Sequence, residues 1–133
     1  MTTEVVSFGA YLRRLRLEAG FGLRTFADLS GMQPSNLSRI ESGRLAPPQD
    51  AAIIRRLAKA LGLGEDSAEY VELNNLASQA RPGTMPPDLA EYAGTKRGIP
   101  LLLRTVKGKN LDEAEFRKLA EYIDRELGKR SDP

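Results

Sequence analysis

Short helical segments separated by glycine and proline constrain the fold of this chain more than any other feature of its sequence. From Phe8 to Ala19, apolar residues recur at spacings of three and four, which is the period of an amphipathic helix. Comparable patterns follow three times before residue 64, and no stretch alternates between apolar and polar residues as a half-buried strand would. The segments predicted to be helical are 8–19, 23–30, 34–42 and about 49–61. This succession predicts an all-α fold.

The helical pattern continues beyond residue 64 and is then interrupted. A longer helix is predicted over about 66–80, where Asp66 and Glu69 have the spacing of a capping box. The stretch 81–87 contains three prolines and a glycine, which is typical of a linker. The sequence therefore predicts a domain at 1–80, a linker at 81–87 and a helical region at 88–133.

The residue inventory excludes several classes of function. The chain contains no cysteine and no histidine, which rules out disulfides, thiolate nucleophiles, histidine acid–base chemistry and zinc sites that need either residue. No apolar run approaches the roughly 18–20 residues of a membrane span, and the first residues lack the layout of a signal peptide. We therefore expect a cytoplasmic protein with no catalytic residue, no metal and no cofactor.

The charge is unevenly distributed along the chain. Residues 1–64 hold nine Lys or Arg against five Asp or Glu, residues 65–95 hold one against six, and residues 96–133 hold ten against seven. A basic first part followed by an acidic middle suits a DNA-reading segment joined to a part that does not touch DNA.

Two of the short helices, 23–30 and 34–42, are separated by a glycine-containing turn, with one helix before them and another after. This arrangement is typical of a helix-turn-helix unit. The segment from Phe21 to Gly43 reads FGLRTFADLSGMQPSNLSRIESG. The positions that match the pattern of the Cro/lambda-repressor-like (XRE) family are Ala27, Gly31, Ser38, Glu41 and Gly43. Residues 8–64 therefore resemble that family, and the resemblance implies a five-helix DNA-binding domain.

Physical reasoning identifies helix 34–42 as the element that reads DNA. An α-helix fits the major groove, which is about 12 Å wide, with its N-terminal end towards the base edges. Leu37 and Ile40 give this helix an apolar back, and Arg39, its only cation, suits a bidentate contact with guanine. The candidate base-contacting residues are Gln33, Ser35, Asn36, Ser38 and Arg39, of which Asn36 suits a base or a phosphate, and the candidate phosphate-contacting residues are Arg24 and Arg44.

Glu41 is predicted to be structural, because a carboxylate beside DNA would repel the phosphates. The family resemblance implies that it pairs with Arg16 on the first helix. Two positions depart from the family pattern: Gly22 and Gln33 stand where Ser or Thr usually caps the second and third helices. Glycine in place of a capping side chain costs a few tenths of a kcal/mol, and Gln33 exchanges a cap for a side chain that can reach DNA.

The C-terminal region carries more apolar surface than one short helix can cover. The sequence predicts a short helix at 88–92, an apolar patch at 99–106 and a last helix that starts with Asn110 and Glu113 as a capping pair and ends at Gly128. This tail is similar to the helical tails of repressors from mobile elements and stress regulons that are controlled by a separate metallopeptidase. That similarity implies dimerisation, and the candidate residues are Leu101, Leu102, Leu103, Phe116, Leu119, Ile123 and Leu127.

Three interpretations of the function stay open. The first is a homodimeric repressor that binds an inverted repeat of double-stranded DNA through helix 34–42, is associated with the nucleoid and is inactivated by a partner protease. The first alternative is an antitoxin that binds a toxin through its tail and autoregulates its operon, and the second is a peptidase substrate whose only regulated event is proteolysis. The partners expected are therefore DNA, a second copy of the chain and either a metallopeptidase or a toxin, with no membrane. A self-cleaving repressor needs a β-rich domain that this helical tail lacks, so we expect no enzyme.

Overall fold

The structure, a computed structural model, describes residues 6–127 and is built from α-helices. Within that range there are eight helices and no strand, which confirms the predicted all-α class. The helices are α1 (Phe8–Glu18), α2 (Leu23–Ser30), α3 (Pro34–Ser42), α4 (Ala51–Ala60), α5 (Ala68–Gln79), α6 (Pro87–Thr95), α7 (Gly98–Lys109) and α8 (Glu113–Glu126). None of the described helices is both long enough and apolar enough to cross a membrane.

The first three helices begin and end where the sequence predicts. Ser7 caps α1, since its hydroxyl accepts a hydrogen bond of 3.1 Å from the backbone N–H of Ala10. Gly31 and Gly43 end α2 and α3 in the left-handed conformation, with φ of 72° and 81°. Glycine adopts this conformation without the steric cost that a Cβ would bring. Local sequence therefore determines the bounds of the helix-turn-helix unit.

The predicted starts of two later helices are wrong. Helix α5 begins at Ala68 and is capped by Ser67, whose hydroxyl accepts from Tyr70 N at 3.1 Å, so Asp66 is not the cap. The capping box of α8 consists of Asp112 and Glu115. Asn110, predicted as the cap, instead ends α7 with φ 52°, a left-handed conformation that asparagine tolerates. The predicted end of the last helix at Gly128 lies outside the described residues.

One hydrophobic core joins the first five helices. Helix α1 packs against α3 and α5, and α4 packs against α2 and α5. The core side chains come from all five helices, and the largest that are fully enclosed are Phe8, Leu12, Phe26, Leu37, Ile54, Leu57 and Leu73. One face of α3 packs against this core, and the opposite face is exposed to solvent.

The chain divides into two compact units, one reaching to Tyr92 and the other beginning at Ala93. The first unit includes the start of α6. Asn74, which is fully buried, accepts a hydrogen bond of 3.0 Å from the backbone N–H of Asp88 through its side-chain oxygen, and Arg55 forms an ion pair with Glu91. The boundary between the units therefore lies beyond the linker that the sequence places at 81–87.

The residues of the predicted linker differ in their exposure. Residues 81–85 are exposed, but Pro87 is buried and is the first residue of α6. The short helix predicted at 88–92 is this α6, which extends to Thr95. The predicted apolar patch at 99–106 lies in the middle of α7.

Candidate nucleic-acid interface

Helix α3 has a buried back and an exposed polar front. Leu37 is fully buried and Ile40 is 4% exposed, and both belong to the core. Proline at the first position, Pro34, favours a helix start here because its fixed φ suits the first turn. The structure places the predicted base-contacting residues as follows: Ser35, Ser38 and Arg39 are exposed on α3, Asn36 is half-buried, and Gln33 is the exposed N-cap residue with no side-chain capping bond.

A glycine in α1 allows α3 to approach very closely. A Cβ built on Gly9 would lie 2.0 Å from the backbone oxygen of Ile40 and 2.9 Å from that of Glu41. No side chain can be accommodated at such distances from the backbone of a packed helix, so Gly9 fixes the separation of α1 and α3. The sequence patterns did not predict a role for this residue. Its signal was a glycine in the first turn of an otherwise well-formed helix, which often marks close packing.

A buried ion pair ties the end of α3 to α1. Arg16 Nε lies 2.7 Å from Glu41 Oε2 and Arg16 Nη2 lies 2.8 Å from Glu41 Oε1, which is a bidentate arrangement. The two side chains are only 9% and 6% exposed. The hydrogen bond to Glu41 raises the pKa of Arg16 further above its ordinary value. The structural role predicted for Glu41 is therefore confirmed.

The same arginine also fixes the segment that leads into α2. Its third nitrogen, Nη1, donates to the backbone oxygen of Phe21 at 3.0 Å. Arg16 therefore links α1, α3 and the connection between α1 and α2 through one guanidinium group, whose planar fork of donors suits several fixed acceptors.

The turn between α2 and α3 is closed by backbone and side-chain hydrogen bonds. Met32 N donates to Ala27 O at 2.9 Å, across the left-handed Gly31. Ser30, which is 1% exposed, donates from its hydroxyl to Phe26 O at 2.8 Å. Both bonds satisfy carbonyl groups of α2, and the bond from Met32 closes the turn that leads into α3.

The arginines near α3 differ in whether they have carboxylate partners. Arg24 in the first turn of α2, Arg39 on α3 and Arg44 just after α3 are exposed, and none forms an ion pair with another residue of 6–127. Arg44 and Arg39 are neighbours, since Arg44 N donates to Arg39 O at 2.9 Å. Arg55, by contrast, is held by Glu65 and Glu91. An arginine without a carboxylate partner keeps its charge available for an anionic ligand.

Over residues 6–127, no group of three or more acidic, histidine or cysteine side chains is placed to hold a metal ion. The interface is therefore characterised by its polar side chains, its arginines and the geometry of α2 and α3.

Comparison with known proteins agrees with this geometry. Residues 7–70 match the family model described as a helix-turn-helix domain. Over 64 residues, 48% of this chain, the sequence is 38% identical to the HTH-type transcriptional repressor RghR of Bacillus subtilis (strain 168), and the match covers 47% of that protein. The chain thus matches about half the length of this curated relative. No solved structure is significantly similar to it. Residues 7–70 are thus similar to helix-turn-helix domains, which is consistent with their resemblance to the XRE family.

Proposed function

We propose that this protein is a transcription regulator that binds specific sites in double-stranded DNA and acts as a homodimeric repressor. The observation that carries the proposal is α3 itself: its apolar back is locked onto α1 by Gly9 and by the Arg16–Glu41 pair, while its polar front is exposed. A rigid helix with a polar front is what entry into the major groove needs. The relative RghR is by name a transcriptional repressor, which supports the direction of control.

The residues of the interface divide into two roles. Side chains near the N-terminal end and along the front of α3 read base edges, with Arg39 the strongest candidate because a guanidinium matches the two acceptors of guanine. Arg24 and Arg44 neutralise phosphates and position the helix without reading sequence. The base-reading set is Gln33, Ser35, Ser38 and Arg39, with Asn36 on a base or a phosphate.

Selectivity is the reason for proposing a dimer. One helix-turn-helix unit reads few base pairs, and a genome offers about 10⁶–10⁹ competing sites. Two copies with their recognition helices about 34–36 Å apart read both halves of an inverted repeat. The exposed apolar side chains of the second unit supply the surface for pairing, and they include Leu102, Leu103, Phe116, Ile123 and Leu127. Leu101 is also exposed, but consecutive helical residues point about 100° apart, so it lies outside the surface that contains Leu102 and Leu103.

The test of DNA reading is Arg39→Ala, measured on sites selected by the wild-type protein from a randomised duplex pool. We expect a loss of about 1–3 kcal/mol on the selected site and a relaxed preference at one base position in each half. Arg24→Ala and Arg44→Ala should weaken binding evenly across sequences. Each should reduce the slope of log K against log salt concentration by about one, the value expected for the loss of one phosphate contact.

Arg104→Ala is the matched control, because it removes the same charge from α7 in the second unit. It should leave both the affinity and the base preference unchanged. If Arg39→Ala binds the selected site as tightly and as selectively as the wild type, α3 does not read DNA in the proposed register.

The test of the dimer compares the full chain with residues 1–92 by sedimentation at matched micromolar concentration. The shorter chain ends at 92 because Asp88 and Glu91 make their hydrogen bonds within the first unit. It should be a monomer that binds DNA weakly, whereas the full chain should be a dimer. A dimeric 1–92 fragment would move the pairing surface out of the tail.

Proteolysis offers a means of switching such a repressor off. Residues 81–85 are exposed between α5 and α6, and a partner protease that cuts there would separate DNA reading from pairing. In the antitoxin alternative, the same exposed tail would instead be covered by a toxin. A co-purifying partner separates the two interpretations, because the repressor pairs with a second copy of itself, whereas the antitoxin would bind a toxin through its tail.

A further inference from the structure

The two long helices of the second unit each have an apolar stripe, and the two stripes do not meet. No residue of α7 or α8 is buried, and the two helices make no extended contact with each other. At about 100° per residue, the stripe of α7 consists of Ile99, Leu102, Leu103 and Val106, and the stripe of α8 consists of Phe116, Leu119, Ala120 and Ile123. Ile99, Val106 and Leu119 are half-buried and the other five residues are exposed, so neither stripe is enclosed within the described chain.

Leu101 does not belong to the stripe of α7. Consecutive residues of a helix point about 100° apart, so three adjacent leucines cannot share a face. Leu101 lies on the back of α7 with Arg104 and is 69% exposed, compared with 43% for Leu102.

The charges beside the two stripes are opposite in sign. In α7 the stripe is flanked by Lys107 on one side and Lys109 on the other, and α7 contains no acidic residue. In α8 the stripe is flanked by carboxylates on both sides; Arg117 lies just beyond one of these flanks, and Lys118 and Arg125 lie on the back of the helix. The flanking carboxylates are Glu113 and Asp124 on one side and Glu115 and Glu126 on the other. Flanking charges of this kind select pairing partners in helical assemblies.

We infer that the second unit pairs by exchange with a second copy: α7 of each copy packs on α8 of the other, so that the dimer contains two identical α7–α8 contacts. The inference deepens the dimer proposed above and rests on it. Pairing like with like would place lysines beside lysines and carboxylates beside carboxylates, which is unfavourable, whereas exchange places each lysine flank against a carboxylate flank.

The connection between the helices favours contact between chains over closure within one chain. It consists of Asn110, in a left-handed conformation, followed by Leu111 and Asp112. In the structure this connection leaves the two stripes apart. Short connections of this kind favour exchange of an element between copies, and a twofold axis then completes both contacts at once.

The experiment is a complementation test with two variants of the full chain, followed by sedimentation and native mass spectrometry. One variant damages only the α7 stripe (Leu103→Gln with Val106→Gln), and the other damages only the α8 stripe (Leu119→Gln with Ile123→Gln). Glutamine retains high helix propensity, and circular dichroism checks that helicity is kept. Alone, each variant loses both contacts, so its dimer dissociation constant should rise at least about a hundredfold.

Mixing the two variants should restore pairing. The mixed dimer keeps one intact contact, between the undamaged α7 of one copy and the undamaged α8 of the other, and should form at least about tenfold more tightly than either variant alone. Leu101→Gln is the matched control on the back of α7 and should dimerise like the wild type.

Three results would overturn the inference. An α7 variant that dimerises alone would mean that α8 pairs with α8, and a mixture with no recovery would mean that α7 of one copy does not pack on α8 of the other. A wild-type chain that is monomeric at micromolar concentration would overturn the proposed dimer as well. DNA reading is measured independently through Arg39→Ala, so the failure of the exchange is distinguishable from the failure of the proposed regulator.

Discussion

The two units of this chain bury their apolar residues to very different extents. The first unit encloses Phe8, Leu12 and Leu57 in one core, whereas no side chain of α7 or α8 is buried. Both units are helical and both have amphipathic patterns, so helix content does not separate them. The units differ in whether the helices of one chain bury one another's apolar side chains. In the first unit the helices cover one another, whereas α7 and α8 leave their apolar side chains exposed.

The ion pairs differ in the same way. Arg16 and Glu41 are almost fully enclosed, whereas Arg125 and Glu126 on α8 are 65% and 51% exposed. Removing one member of a buried pair leaves an uncompensated charge in a poorly solvated place, but water replaces the lost partner at an exposed pair. Matched substitutions in the two units therefore test the comparison directly.

The largest effect is expected from Glu41→Ala. This substitution leaves the buried guanidinium of Arg16 without its carboxylate partner. It should lower the free energy of unfolding by about 3–5 kcal/mol, which corresponds to a fall in Tm of more than about 10 °C. Glu126→Ala is the control and should leave the Tm of the first unit unchanged. Thermal unfolding followed by circular dichroism gives both values, and equal effects would remove the contrast between the units.

Leucine truncation should show the second largest contrast. Leu57→Ala opens a cavity in the core and should cost about 2–5 kcal/mol, because Leu57 is fully buried. Leu101→Ala, at a position 69% exposed, should change stability by less than about 0.5 kcal/mol. Urea unfolding of both variants provides the measurement. A large loss for Leu101→Ala would mean that the back of α7 is covered in the folded protein.

Glycine substitution should give the smallest of the three contrasts. Gly9→Ala inserts a Cβ against the backbone of α3 and should cost about 1–3 kcal/mol, with weaker DNA binding because α3 must shift. Gly94→Ala places a Cβ in open space within α6 and should be neutral or stabilising by up to about 1 kcal/mol. Equal Tm values for Gly9→Ala and the wild type would show that α1 and α3 can separate without cost.

The sequence by itself determined the elements whose causes are local. The periodicity of α1 to α4 and the glycines at 31 and 43 are each visible within a few residues, and the structure confirms them. The pairing of Arg16 with Glu41 was accessible only through the family resemblance, since 25 residues separate the two. The base-contacting and phosphate-contacting residues stay predictions, because an exposed side chain is free to contact DNA but its exposure is not itself a contact.

Only the tertiary structure decided the features that depend on distant neighbours. The need for glycine at position 9 arises from the backbone of α3, and the hydrogen bond between Asn74 and Asp88 moves the end of the first unit past the proline-rich stretch. Ser67 caps α5 and Asp112 caps α8, although Asp66 and Asn110 are also residue types that cap helices. The direction of the chain at each turn determines which side chain reaches the free N–H groups of the first helical turn. At these positions the capping propensities of the residues allow more than one helix start, and the packing of the folded chain determines which one forms.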